Sequence, residues 1–256
     1  MTHSQTIQTS YAEGVARLTF ARPKHNVFNI AMMQEFNAAL KTLIAEKDLK
    51  CVVIQGQGPS WCAGVDVGDH RPELVDQMIG TFNQALQSIE AIPVPVIAAV
   101  HGACLGGGME FAIACDMVVA AKKAKFGQPE VKLGFFPPYA AIRLPALVGP
   151  AKTIEICATG RTYSADEAVA MGFVSRAVED EQFDAEISKL VGEIQTSSPL
   201  ILRLNKQAVK AHLGMGFSKA IDSVSDLFLN TLMKTEDTLE GIASFYEKRK
   251  SVWKNK

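Results

Sequence analysis

Three short apolar runs, at residues 51–55, 95–100 and 117–121, constrain this chain more than any other feature. Each is too short for a buried helix and too uniformly apolar to keep one face in water, so each reads as a strand covered on both faces. Helical patterns stand around them. Met32, Phe36, Leu40, Leu43 and Ile44 recur at helical spacing after Asn29, a residue suited to an N-cap, and Leu74, Met78, Phe82, Leu86 and Ile89 repeat the pattern. Between the second and third runs lie a glycine-rich turn, residues 102–108, and a small apolar helix reaching Cys115. Strands alternating with helices imply β-α-β units and a largely parallel sheet with helices on its faces. Sites in such sheets form in the loops that follow the strands.

The ends of the chain differ from this middle. Residues 5–20 alternate around Glu13-Gly14, which predicts a hairpin. After Gly134 the strand pattern almost vanishes, with 174–178 the main exception, and helix signals take over. Ser164-Ala165-Asp166-Glu167 matches a capping box, Pro199 suits a first helical turn, and residues 237–240 look like another helix start. With no repeat, low-complexity stretch or flexible linker, this helical part is expected to pack on the sheet or on a neighbouring subunit.

Charge and cysteine usage exclude several classes. Lys and Arg number 26 against 27 for Asp and Glu, so nothing draws the chain toward nucleic acid or an anionic membrane, and an anionic ligand must be held locally. Cys51, Cys62, Cys104, Cys115 and Cys157 are odd in number and widely spaced, with no C-x-x-C pair and no Cys/His cluster, which reads as reduced core cysteines and no metal site. The opening residues lack the pattern of a secretory or transit peptide, and no apolar run approaches the ~18 residues of a membrane span. A cytoplasmic location is expected.

The chemistry concentrates in three segments. In Val100-His101-Gly102-Ala103-Cys104-Leu105-Gly106-Gly107-Gly108-Met109-Glu110, consecutive glycines join a strand to a helix. Backbone N–H groups there can approach a ligand closely, and a helix N-terminus adds positive potential, so an oxygen gaining negative charge could be stabilised; a tight packed turn would use the same residues. Neither a phosphate-binding P-loop nor a dinucleotide fingerprint fits the spacing. Ser60-Trp61-Cys62-Ala63-Gly64-Val65-Asp66-Val67 follows the first apolar run and could present another N–H, while Asp66 by itself suits a cap. Phe126-Gly127-Gln128-Pro129-Glu130 sets a carboxylate after a proline-fixed turn. Glu110 lies in an otherwise apolar stretch, where a carboxylate costs energy unless it has a partner or a function. Two carboxylates beside an oxyanion site suit acid–base chemistry on a carbonyl compound.

These segments together resemble the crotonase (enoyl-CoA hydratase/isomerase) superfamily. Cys62-Ala63-Gly64-Val65-Asp66 is similar to its first oxyanion-hole motif, His101-Gly102 through Glu110 to its second, and Phe126 through Glu130 to its second catalytic-glutamate motif. Ala21-Arg22-Pro23-Lys24 resembles an early segment lining the coenzyme A site, and Phe245-Tyr246-Glu247-Lys248-Arg249 a C-terminal stretch. The resemblance implies an α/β fold, a β-β-α spiral core over residues 1–195 with a C-terminal helical oligomerisation region over 196–256. It implies an acyl-CoA thioester as substrate, no separate cofactor because CoA is part of that substrate, and a homotrimer or dimer of trimers. It implies backbone N–H donors at Val65 and Gly107, Glu110 activating water for attack on the β-carbon, and Glu130 delivering a proton to the α-carbon. Lys24, Ala63, Asp66, Val67, Phe135 and Phe136 are the implied substrate contacts. Relatives with other activities often lack one glutamate, so the pair points to hydration of an enoyl-CoA; isomerisation or decarboxylation on the same scaffold is the alternative.

One stretch departs from the family pattern. Where common hydratases continue with a glycine-rich loop, this chain has Leu133-Gly134-Phe135-Phe136-Pro137-Pro138-Tyr139, which predicts a stiffer, aromatic pocket wall. The phenylalanine and proline resemble dienoyl-CoA hydratases acting on cyclic acids. Two other classes fare less well. RNA binding would have to use Lys122, Lys123 and Lys125 or Lys248, Arg249 and Lys250, which also read as solvated surface, and a serine hydrolase would need a G-x-S-x-G that is absent.

Overall fold

The structure is a computed structural model and describes residues 5–256. It opens with β1 (Ile7–Ala12) and β2 (Val15–Phe20), an antiparallel hairpin whose turn residues Glu13 and Gly14 both take positive φ, as a tight two-residue turn requires. Helix α1 (Ile30–Ile44) follows, capped by Asn29, whose side chain accepts from the Met32 N–H. Strand β3 (Cys51–Gly56), α2 (Val75–Ala91) and β4 (Val96–Val100) come next, then a short β5 (Ala103–Leu105), α3 (Gly107–Ala114), β6 (Met117–Ala121) and β7 (Lys125–Gly127). Beyond these lie α4 (Pro138–Val148), α5 (Pro150–Thr159), β8 (Thr162–Ser164), α6 (Ala165–Met171), β9 (Arg176–Val178) and α7 (Phe183–Gln195). The chain closes with α8 (Pro199–Lys210), α9 (Phe217–Asp226) and α10 (Glu236–Glu247).

A six-stranded sheet runs β1-β2-β3-β4-β6-β9, parallel except for the opening hairpin. Both faces are covered, and alternation sorts the side chains. Val52, Ile54, Val96 and Ala98 enter the main core with α1, α2 and α3, whereas Cys51, Val53, Ile97 and Val119 meet Ile187, Leu190 and Val191 of α7. A second sheet, β5-β7-β8, stands apart from the first. The segment expected to be loop, residues 102–108, therefore contains a strand, and β8 is a further strand after Gly134. Both have three residues, too few for a period-two pattern to register.

Ser164 and Glu167 form the expected reciprocal capping box at the start of α6, and Pro199 occupies the first turn of α8. Helices α8 to α10 leave many large apolar side chains exposed, among them Val209, Phe217, Leu239, Phe245 and Tyr246. Among the described residues no helix is long and apolar enough to cross a membrane.

Candidate active site

The site lies beside the second sheet, where the chain leaving the first sheet reaches it. The chain after β3 runs alongside β5: the Cys62 N–H donates to Ala103 O and the Leu105 N–H to Cys62 O, both at 3.0 Å. Next to it, Phe28 pairs across Val65, with the Phe28 N–H on Gly64 O at 2.9 Å and the Asp66 N–H on Phe28 O at 2.7 Å. A bridge that uses residues 64 and 66 turns the N–H of Val65 the other way. Gly107 is the first residue of α3, so its N–H has no acceptor inside the helix. Among the described residues neither N–H donates to any other group.

The three glycines are each required by a different neighbour. A Cβ on Gly106 would stand 2.7 Å from Glu130 Oε1, one on Gly107 2.7 Å from Val65 Cγ2, and one on Gly108 2.4 Å from Cys62 O. Gly106 also has a positive φ of 54°. The missing side chains thus let Val65, Gly107 and Glu130 converge.

Glu110 sits on α3, a helix buried on every side, and is itself only 2% exposed. Its Oε1 accepts the N–H groups of Tyr139 at 2.7 Å and Ala140 at 2.8 Å. These are the first free donors of α4, because Pro138 has no N–H and Pro137, at the cap position, makes no side-chain cap. A carboxylate from another helix fills that role, with the helix dipole behind the donors. Burial still dominates: it pushes the Glu110 carboxyl up to about 7, opposed by the Ala140 and Tyr139 N–H groups and assisted by the Glu130 charge.

Glu130 rides on a short 3-10 turn, Pro129–Leu133, entered from β7 through the fully buried Gln128. With the Gln128 amide turned as its surroundings require, its nitrogen donates to both Glu130 oxygens at 3.1 Å. Burial raises the Glu130 carboxyl to about 7 as well, against the effect of its own backbone N–H. Two carboxyls poised near neutrality can hold one proton between them, one acting as acid and the other as base.

Glu110, Glu130, Val65 and Gly107 all line one cavity of about 360 Å3. Its remaining wall is largely apolar, built from Val75, Met78, Ile79 and Phe82 of α2 with Val67, Leu133 and Pro138. Of the other predicted residues, Ala63, Val67, Phe135 and Phe136 line it, and Lys24 and Asp66 do not. Lys24 is exposed; Asp66 accepts from the Gly68 N–H, capping the turn that starts at Val67, and lies 3.6 Å from the Arg22 guanidinium.

Of the stretch 133–139, expected to wall the pocket, every residue but Pro137 and Tyr139 lines the cavity. Phe136 is 73% exposed and stands at the mouth, Phe135 stacks on the His70 ring at 4.9 Å, Pro137 is buried away from the cavity, and Tyr139 turns its hydroxyl to Glu90. The proline pair therefore shapes the helix end that grips Glu110. Sequence reasoning missed Gln128, His70 and the two N–H donors of α4. Only the Pro137-Pro138 pair carried a signal, since prolines opening a helix leave the next N–H groups without local acceptors.

Of the basic groups considered for RNA, three are paired: Lys122 with Asp166 at 2.7 Å, Lys123 with Asp180 at 3.0 Å and Arg249 with Glu240 at 2.9 Å. His101, the base a hydrolase would need, spends Nε2 on Gly58 O at 2.8 Å.

A spiral of strand and helix units whose two sheets hold a pair of free N–H groups beside one buried and one half-buried carboxylate defines the crotonase fold class. The family model described as enoyl-CoA hydratase/isomerase matches residues 10–256. The chain is 33% identical to a cyclohexa-1,5-dienecarbonyl-CoA hydratase of Thauera aromatica over 94% of this chain and 93% of that one. It is 36% identical to a crotonyl-CoA hydratase of Syntrophomonas wolfei over 93% and 94%. An enoyl-CoA hydratase structure from Bacillus anthracis superposes with a TM-score of 0.93 at 29% identity, covering 98% of this chain and 100% of that one. The chain belongs to the enoyl-CoA hydratase/isomerase family.

Proposed function

We propose that this chain is a hydro-lyase that adds water across the double bond of an enoyl-CoA thioester. The observation that carries it is the presence of both Glu110 and Glu130 in one cavity with the free N–H groups of Val65 and Gly107. The thioester oxygen accepts those two N–H groups, which draws electrons from the conjugated double bond and stabilises the enolate-like charge that follows attack; one such donor is worth about 3 kcal/mol in the transition state. Glu110, ionised, removes a proton from water as its oxygen bonds to the β-carbon. Glu130, protonated, delivers a proton to the α-carbon. The pair ends with its proton moved from Glu130 to Glu110, and exchange with solvent resets it.

Ala63, Val67, Phe135 and Phe136 are assigned to the acyl-thioester end of the substrate, and Lys24 and Asp66 to the CoA portion outside the cavity. The apolar wall and the aromatic mouth favour short or cyclic acyl groups, a reading supported by the likeness to a hydratase of a cyclic dienoyl thioester. The exposed apolar side chains of α8 to α10 support assembly through residues 196–256 into a trimer or dimer of trimers. The test is a panel of linear and cyclic enoyl-CoA thioesters scored for 3-hydroxyacyl-CoA formation. Hydration of at least one short or cyclic member is expected, and isomerised product alone would overturn the proposal.

A further inference from the structure

We propose that Tyr139 is a positioning residue for Glu110, held in place by a network that runs through Glu90 to Lys210 on the C-terminal helical layer. The inference rests on the reading of Glu110 as the base. Tyr139 works at both ends. Its backbone N–H is one of the two donors on Glu110 Oε1, at 2.7 Å, and its hydroxyl donates to Glu90 Oε1 on α2 at 2.8 Å. With two prolines ahead of it and no local cap, the first turn of α4 has little of its own to fix its angle. The Tyr139 side chain supplies that anchor.

The anchor is itself braced. Glu90 Oε2 accepts from Lys210 Nζ at 2.6 Å, and the same ammonium lies 2.9 Å from Asp116 Oδ1. Asp116 Oδ2 meets Lys206 Nζ at 2.6 Å and accepts the Val96 N–H at 2.8 Å, and Lys206 also donates to Val94 O at 2.9 Å. Asp116 lies just past the end of α3, the helix that bears Glu110. The network thus joins both helices that define the Glu110 carboxylate to α2 and to α8.

Lys206 and Asp116 retain only 9% and 16% of their side-chain exposure. Charges so placed lose much hydration, and apolar packing would serve stability as well; what a directional network adds is fixed geometry. Other ionisable groups facing this region are Glu130 on the 3-10 turn, Cys115 beyond α3, Cys157 on α5, and Arg143 on α4, whose Nε donates to Ile113 O at 3.2 Å.

The experiment measures kcat, KM and the pH dependence of kcat for crotonyl-CoA hydration with Tyr139→Phe, Glu90→Gln, Lys210→Arg and Glu110→Gln. Tyr139→Phe is expected to lower kcat about tenfold by misplacing the carboxylate, and to leave KM within about twofold because no substrate contact is lost. The ascending limb of its pH profile should move to higher pH, because loosened N–H donors stabilise the ionised carboxylate less. Glu90→Gln should move both readouts the same way by less, and Lys210→Arg, which keeps the charge, should stay near wild type. A Tyr139→Phe enzyme that is less heat-stable but unchanged in kcat and pH profile overturns the inference while Glu110→Gln is inactive. If Tyr139→Phe does not fold, an unchanged pH profile in Glu90→Gln does the same. An active Glu110→Gln overturns the reading of the base instead.

Discussion

Replacing Glu110 with glutamine should make the protein more stable and nearly inactive at once. Its carboxyl is raised from 4.5 to about 7 by burial, so the folded state holds its proton where the unfolded state has released it. Stability therefore falls as pH rises from the unfolded value through the folded one, and the loss is complete above it. A rise of that size corresponds to roughly 3 kcal/mol. Glutamine is nearly isosteric, keeps an oxygen for the Tyr139 and Ala140 N–H groups, and carries no charge to desolvate. At pH 8 the variant should melt on the order of 5 °C or more above wild type, given about 2–4 °C per kcal/mol for chains near this size. At pH 4 the difference should shrink toward zero. Hydration, followed by the loss of the conjugated thioester's absorbance, should fall at least about a hundredfold in kcat. An equal or lower melting temperature at pH 8, or turnover close to wild type, would refute the account of a strained and functional carboxylate.

Gly107→Ala would place a Cβ 2.7 Å from Val65 and 3.1 Å from Phe82, separating the two free N–H groups proposed to hold the thioester oxygen, and should lower kcat by about a hundredfold or more; steady-state kinetics on crotonyl-CoA decides it. Phe136→Ala opens the mouth of the cavity and should shift kcat/KM toward longer acyl chains by about tenfold, since pocket-fit differences of a methylene are worth roughly 1–3 kcal/mol. An unchanged ranking of crotonyl-, octenoyl- and cyclohexadienecarbonyl-CoA would remove that residue from specificity. Sedimentation should give a trimer or dimer of trimers, and a stable monomer at micromolar concentration would contradict the assignment of residues 196–256.

The parallel sheet was legible because strands buried on both faces read as unbroken apolar runs, as residues 96–100 show with all five side chains buried. Glu110 was legible for a related reason: a charge inside an apolar helix stands out in sequence. Strands β5, β7 and β8 have three residues each, and their pairing depends on chain brought from elsewhere, so no local period marks them. The role of Pro137-Pro138 was hidden because it is relational. The residues say that a helix starts without local capping, but only the fold brings a carboxylate from α3 to its N-terminus. The Tyr139–Glu90–Lys210 chain spans α2, α4 and α8, at separations over which sequence spacing carries no information.

The central claim, that Glu110 and Glu130 together add water to an enoyl thioester, is tested most directly by the product formed from crotonyl-CoA with wild type and with Glu130→Gln under identical conditions. Wild type should yield 3-hydroxybutyryl-CoA, heavier by one water, and Glu130→Gln should lose this activity by about a hundredfold or more. A product of unchanged mass with a displaced double bond, or a Glu130→Gln enzyme that hydrates at the wild-type rate, would contradict it.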